Sequence, residues 1–194
     1  MNFCKNEVAA DKSALFSAAF GPVRPEIIQV AIMSIVLARI DNRLIHGQVL
    51  ESWVPYTHAN CIVVANDEVA GLTFQRTLME AAVPRGIRVV IGSIEEVARL
   101  FAAGELAVTR VLLLFASSGD ALAAYRHGVP FAALNLGNMH GGEGKLRLSC
   151  TIALDPVDID NLKQLEEAGV RIVSQCIPSD REQGWRKLIR ETGA

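Results

Sequence analysis

The residues best equipped for chemistry lie close together early in the chain: Asp41, Arg43 and His46, with Gly47 directly after the histidine. A neutral imidazole can accept a phosphoryl group and release it again, as a covalent catalyst should. Phosphoryl transfer asks little of a protein beyond such an acceptor; positioning and charge neutralisation carry it. The attacking nitrogen must be unprotonated and aimed, which calls for a hydrogen bond to the other ring nitrogen. A cation must offset the phosphoryl oxygens, and Arg43 is the best placed by sequence. Backbone amides supply further donors, and Gly47 lets the chain approach closely. Asp41 could orient Arg43 or the ring, or could equally be a turn or capping residue. The ordinary alternatives stand beside this reading. A lone histidine after a strand is more often a cap or a packed ring, and Arg43 with Asp41 could form a surface ion pair worth little.

These residues need a frame. Ile35-Val36-Leu37-Ala38 is a short apolar run suited to a strand buried on both faces of a parallel sheet. A polar turn follows, and a helical pattern begins near Gln48 and carries Val49, Leu50 and Trp53. The element is strand, turn, helix start, with the histidine in the turn. In open α/β sheets, ligands bind beyond the carboxyl ends of the strands, where helix N-termini offer free amides to anions.

The rest of the chain repeats the alternation. Cys61-Ile62-Val63-Val64-Ala65 predicts a second strand, Asn66 and Asp67 a cap, and Val69 to Ala82 a helix ending before Pro84. Ile87–Ile91 predicts a third strand, followed by a helix with capping-box spacing from Ser93 to Glu96 that stops at Gly104. Val111–Phe115 is the most hydrophobic strand, with Ser117 capping a helix to Gly128, and Ala132–Asn135 makes a fifth. Gly137 to Gly144 holds four glycines and reads as a loop, and Lys145–Ser149 alternates like an edge strand or hairpin arm. Asp155-Pro156 opens a helix marked by Ile159, Leu162 and Leu165. Val170–Val173 and Asp180–Thr192 predict a last strand and a closing helix. The expected fold is a single α/β domain with a mostly parallel sheet, helices on both faces and a glycine-rich loop or hairpin near the site. Strand ends sharing one rim would bring Gly47, Asn66, Phe115, Ser117, Asn135, Gly137, Met139 and His140 toward phosphate or partner. His58 and His127 read as surface residues.

Composition narrows the function. The 194 residues carry a formal charge of -2, so no basic field invites nucleic acid or an anionic membrane. Apolar residues make up 51% and aromatics only 6%, the palette of a layered α/β protein. Cys4, Cys61, Cys150 and Cys176 are scattered without a CxxC pair, suggesting neither a zinc site nor a disulfide framework. The compartment reads as reducing cytoplasm. No apolar run approaches the roughly 18 residues of a membrane span; the nearest, Ile27 to Ala38, is interrupted by Gln29 and Ser34. Glu7, Asp11 and Glu26 make the N-terminus a poor signal peptide. Residues 1–32 read as a poorly ordered extension, or as the product of a start codon chosen too far upstream, ahead of a domain spanning 33–194.

The run R-I-D-N-R-L-I-H-G-Q-V, Arg39 to Val49, resembles the signature of the IIB subunits of the bacterial phosphoenolpyruvate-dependent sugar phosphotransferase system (PTS), mannose/fructose/sorbose family. V-V-A-N-D-E-V-A (Val63 to Ala70), V-L-L-L-F (Val111 to Phe115) and N-L-G-N-M-H-G-G-E-G-K (Asn135 to Lys145) are similar to later segments of that family in order and spacing. The likeness covers nearly all of Ser34 to Ile189. It implies that His46 is transiently phosphorylated, that Arg43 stabilises the phosphate, and that no cofactor or metal takes part. It also implies a cytoplasmic carrier that takes phosphate from a histidine of a IIA protein and gives it to sugar bound in the IIC/IID membrane subunits, with a second copy of the chain as a candidate partner.

Two other functions compete. A protein of the same fold could relay phosphorylation state to a partner without driving transport; genes for membrane subunits alongside would argue against that. A metal-dependent hydrolase using His46, His140 and Asp41 lacks any tight ligand spacing.

Overall fold

β2 (Cys61–Ala65) and β4 (Val111–Phe115) are buried along their whole length, as continuous apolar runs require when both sheet faces are covered. The computed structural model describes residues 34–140 and 144–191; the expected extension over 1–32 lies outside them. The remaining strands are β1 (Ile35–Asp41), β3 (Arg88–Gly92), β5 (Ala133–Asn138), β6 (Leu146–Arg147), β7 (Ala153–Leu154), β8 (Arg171–Ser174) and β9 (Gln183–Gly184). They form a seven-stranded sheet in the order β3-β2-β4-β1-β5-β8-β9 and a two-stranded hairpin of β6 and β7. All neighbours in the large sheet run parallel except β9, which pairs antiparallel with β8.

Helices cover both faces. A π-helical turn (Val49–Trp53) leads into α1 (Val54–Thr57). With α2 (Asp67–Gly71) and α3 (Thr73–Ala82) it lies on the face where Val49, Trp53 and Val69 meet Ile62, Val64, Leu112 and Leu114. On the other face, α4 (Ile94–Ala102), α5 (Ser118–Arg126), α6 (Pro156–Glu167) and α7 (Trp185–Glu191) bury Val97, Phe101, Leu162 and Trp185 against Val63, Leu113 and Leu134. The chain leaving β1 therefore passes to one face, while the chains leaving its neighbours β4 and β5 pass to the other. The carboxyl end of β1 is thus a switch point, the place where such sheets bind ligands.

Four of the expected elements change in detail. The helix over Val69–Ala82 is two helices, because Leu72 adopts φ -102° and ψ 86° after Gly71. The fifth strand does not stop at Asn135 but runs through Gly137 to Asn138, and Met139 then bridges to Ile152. The expected arm at Lys145–Ser149 shrinks to β6. The closing helix starts at Trp185, because Gln183 and Gly184 pair with β8 instead; its expected end at Thr192 lies outside the described residues. Ser93, Ser117 and Asp155 cap their helices as read, Ser93 in the expected box with Glu96; the structure adds reciprocal boxes of Ser117 with Asp120 and Asp155 with Asp158. Among the described residues, no helix is long and apolar enough to cross a membrane.

Candidate functional site

Asp41 closes β1 and is fully buried. The pairing of β1 with β5 slips between Ile40 and Asp41, so that Asp41 faces Asn138. Such a bulge re-aims a side chain at the end of a strand. The chain then turns sharply: the Leu44 amide donates to the Asp41 carbonyl at 2.8 Å, and the Arg43 amide donates to Asp41 Oδ1 at 3.3 Å. Leu44 takes φ 53° to do so, a left-handed conformation that costs a leucine on the order of 1–2 kcal/mol. Burial of Leu44 and Ile45 among Val49, Trp53 and Ile62 offsets that strain and anchors the turn.

The turn delivers His46 to the carboxylate. Its Nε2 is enclosed and lies 3.1 Å from Asp41 Oδ2, off the axis of a straight N–H donation. The contact is thus a bent, charge-assisted one, and only 15% of the ring remains exposed. With Nε2 turned inward to an acceptor, Nδ1 is the nitrogen left with a free lone pair. Arg43 stands over the same carboxylate, its Nε 3.6 Å from Asp41 Oδ1 and its side chain about half exposed. Gly47 is exposed and begins the helical turn, and a Cβ placed there would meet nothing.

Beneath this surface lies a charge that sequence reasoning missed. Arg39 is fully buried within β1. Its Nη2 pairs with Asp41 Oδ2 at 3.0 Å, its Nε lies 3.3 Å from the same oxygen, and Nη1 donates to Asn135 Oδ1 and to the Gln175 carbonyl. Nη2 also donates to the Cys176 carbonyl at 3.3 Å, and the guanidinium stacks 4.8 Å over the Trp53 ring. Burial would push the Asp41 carboxyl up, but the His46 contact and the Arg39 charge outweigh it and hold the group below the usual carboxylate range. Burial likewise lowers Arg39, with Asp41 opposing it; a guanidinium stays charged at neutral pH regardless. The signal was present, since an arginine within an otherwise apolar strand needs a buried partner.

Gly137 exists for this arginine. A Cβ built on it would fall inside the Arg39 guanidinium. Gly137→Ala is therefore expected to displace Arg39 and destabilise the fold by about 1–3 kcal/mol, the range for an overpacked core. Thermal unfolding checks this; a Tm unchanged from wild type would mean that Arg39 has room to move.

The other expected contacts divide. Asn135 is buried and holds Arg39, so it serves the site from below. His140 is exposed and lies against the Asn138 amide, which in turn meets Arg43. Asn66 and Ser117 serve as the helix caps read from the sequence: Asn66 accepts from the Val69 amide and donates to Asp120, and Ser117 accepts from the Asp120 amide. Phe115 and Met139 are corrected to core, Phe115 packing 5.5 Å from the Phe131 ring centroid. Each was singled out for standing at a strand end, which helix caps and core side chains share with ligand contacts. His58 and His127 are exposed as read. Gln48, Asn138 and Cys176 went unnoticed although they touch Arg43, Arg39 or each other. Among the described residues no group of three or more His, Cys, Asp or Glu side chains could hold a metal ion.

Residues 35–194 match the family model described as "PTS system sorbose subfamily IIB component". The chain belongs to that family. The sorbose-specific EIIB component of Klebsiella pneumoniae is 36% identical over 160 residues, covering 82% of this chain and 98% of its own. The N-acetylgalactosamine-specific phosphotransferase enzyme IIB component 2 of Escherichia coli is 38% identical over 157 residues, covering 80% and 99%. Among solved structures, the IIBSor domain of the sorbose permease from Klebsiella pneumoniae superposes with a TM-score of 0.78 at 36% identity, covering 82% of this chain and 98% of that one. The fold is thus that of the PTS IIB components, which are phosphotransferases of the sugar phosphotransferase system.

Proposed function

We propose that this IIB component carries a phosphoryl group on His46 Nδ1, taken from a phosphohistidine of a IIA protein and passed to a sugar held by IIC/IID membrane subunits. The observation that supports the reading is the placement of His46 Nε2 against the buried Asp41 carboxylate, 3.1 Å from Oδ2. Asp41 keeps the Nε2 proton in place, so the Nδ1 lone pair attacks phosphorus while the donor's N–P bond breaks and its electrons return to the donor imidazole. Positive charge then grows on the His46 ring, and the carboxylate meets it without moving. In the second step a sugar hydroxyl attacks the same phosphorus, its proton passing to solvent or a base on the sugar's side, while the N–P bond breaks and its electrons return to His46 Nδ1. The transferred group spreads charge over three oxygens, and the Arg43 guanidinium stands beside Asp41 and His46 to offset it.

Incubation with phosphoenolpyruvate, enzyme I, HPr and a IIA protein tests the carrier role, because radiolabel should enter this chain as an acid-labile, base-stable phosphoramidate. NMR of the product should find the phosphoryl group on Nδ1. Arg43→Ala is expected to slow transfer about 100-fold to 1,000-fold, the cost of losing one preorganised donor to transition-state charge, while thermal stability stays near wild type. Arg43→Lys should recover only part of the rate, since lysine lacks the planar fork. A rate within about twofold of wild type for Arg43→Ala would reduce Arg43 to a structural residue.

A further inference from the structure

We propose that Gln48 and Asn138 are positioning residues for the transfer, bracing the Arg43 guanidinium from two sides so that its charge stays beside His46. The inference rests on the reading of Arg43 as the phosphate-neutralising cation. Arg43 needs such a brace. Its side chain is 47% exposed and its ion pair with Asp41 is long, at 3.6 Å, so alone it would sample many rotamers in water.

The two amides reach it from different elements. Gln48, two residues beyond His46 at the start of the helical turn, accepts from Arg43 Nη2 through Oε1 at 3.2 Å. Asn138, at the end of β5 and 1% exposed, accepts from Arg43 Nε at 2.8 Å. Its amide orientation follows from its neighbours: with the oxygen toward Arg43, the NH2 donates to the Thr151 carbonyl at 3.2 Å, whereas the reverse would set donor against donor and acceptor against acceptor. Each brace is anchored behind. Gln48 Nε2 donates to Cys176 Sγ at 3.5 Å, and the carbonyl of Cys176 accepts from Arg39 and from Trp53 Nε1.

The choice of amides has a chemical reason. A carboxylate at either position would hold the arginine as well, but would cancel its charge and repel the phosphoryl oxygens. An amide accepts from the guanidinium without taking up its charge, and its NH2 ties the brace to the scaffold.

A double-mutant cycle tests the proposal with the full chain, phosphorylated IIA as donor, and the rate of label transfer as readout. Gln48→Ala is expected to lower the rate about tenfold, as a modest misplacement of a catalytic group does, with Tm close to wild type. In an Arg43→Ala background the same change should alter the rate less than about twofold, because no guanidinium remains to be held. Asn138→Ala should likewise lower the rate when Arg43 is present and alter it less than about twofold when it is absent, with Tm separating any loss of packing at this buried position. Gln48→Glu should not restore the rate. Equal losses with and without Arg43, or no loss from either amide, would overturn the brace while leaving Arg43 its role. If Arg43→Ala itself transfers normally, the reading of Arg43 fails first and the brace fails with it.

Discussion

His46→Ala is expected to take up no phosphate from phosphorylated IIA. The substitution removes the only ring that the fold sets against Asp41 among the described residues: His58, His127 and His140 are all exposed and none pairs with that carboxylate. Label should therefore not migrate to another histidine. The fold should survive, since His46 belongs to neither apolar layer. His140→Ala should retain most of the labelling, because His140 reaches Arg43 only through the Asn138 amide. Acid-labile phosphate on His46→Ala at the wild-type level would refute the mechanism and make His140 the next candidate. A partial change separates the two jobs of the site. Asp41→Asn keeps a polar group near Nε2 but loses the charge that meets the ring, so it should slow transfer while leaving His46 the labelled residue.

The second large effect is on stability. Arg39→Met should cost about 3–5 kcal/mol, the range for removing one partner of a buried ion pair. At roughly 2–4 °C per kcal/mol for a domain of this size, Tm should fall on the order of 10 °C. Methionine fills much of the volume, but it leaves Asn135 Oδ1 and the Gln175 carbonyl without the Arg39 donor and Asp41 without its buried cation. The pH dependence has a definite sign. Asp41 titrates below its unfolded value, so the stability it contributes is complete above the ordinary carboxylate pKa of about 3.9 and is lost as pH falls through the lower folded value. Arg39→Met removes part of that depression and should bring the onset of acid unfolding to higher pH. A thermal midpoint within about 2 °C of wild type would show that the pair is replaceable by apolar packing, as buried pairs sometimes are.

Much of the frame was legible because it is local. β2 and β4 fall where continuous apolar runs meet turn residues, and the three helix caps follow from residues three apart. The grouping of the candidate residues was legible for the same reason: Asp41, Arg43, His46 and Gly47 occupy one strand–turn–helix element. The strand through Gly137 was not, because a glycine-containing stretch reads as a loop until something packs over it. What packs there is Arg39, whose guanidinium takes the space a Cβ would need. The short pairing of Gln183 and Gly184 with β8 likewise depends on a neighbour that no local pattern names.

By itself the sequence placed His46 and its flanking charges on one strand–turn–helix element and set the alternation of strands and helices, since each depends on residues a few positions apart. The tertiary structure decided what Asp41 does. Left open as a cap, a turn residue or a partner of either neighbour, it is the buried hub that meets His46, Arg43 and Arg39 together. That outcome depends on the order of the sheet, which sets β1 beside β5 and brings groups 96 and 136 residues away onto Arg39. Desolvation then makes these contacts strong enough to hold the carboxylate ionised, and burial of that kind is a property of the assembled layers that no stretch of chain possesses alone.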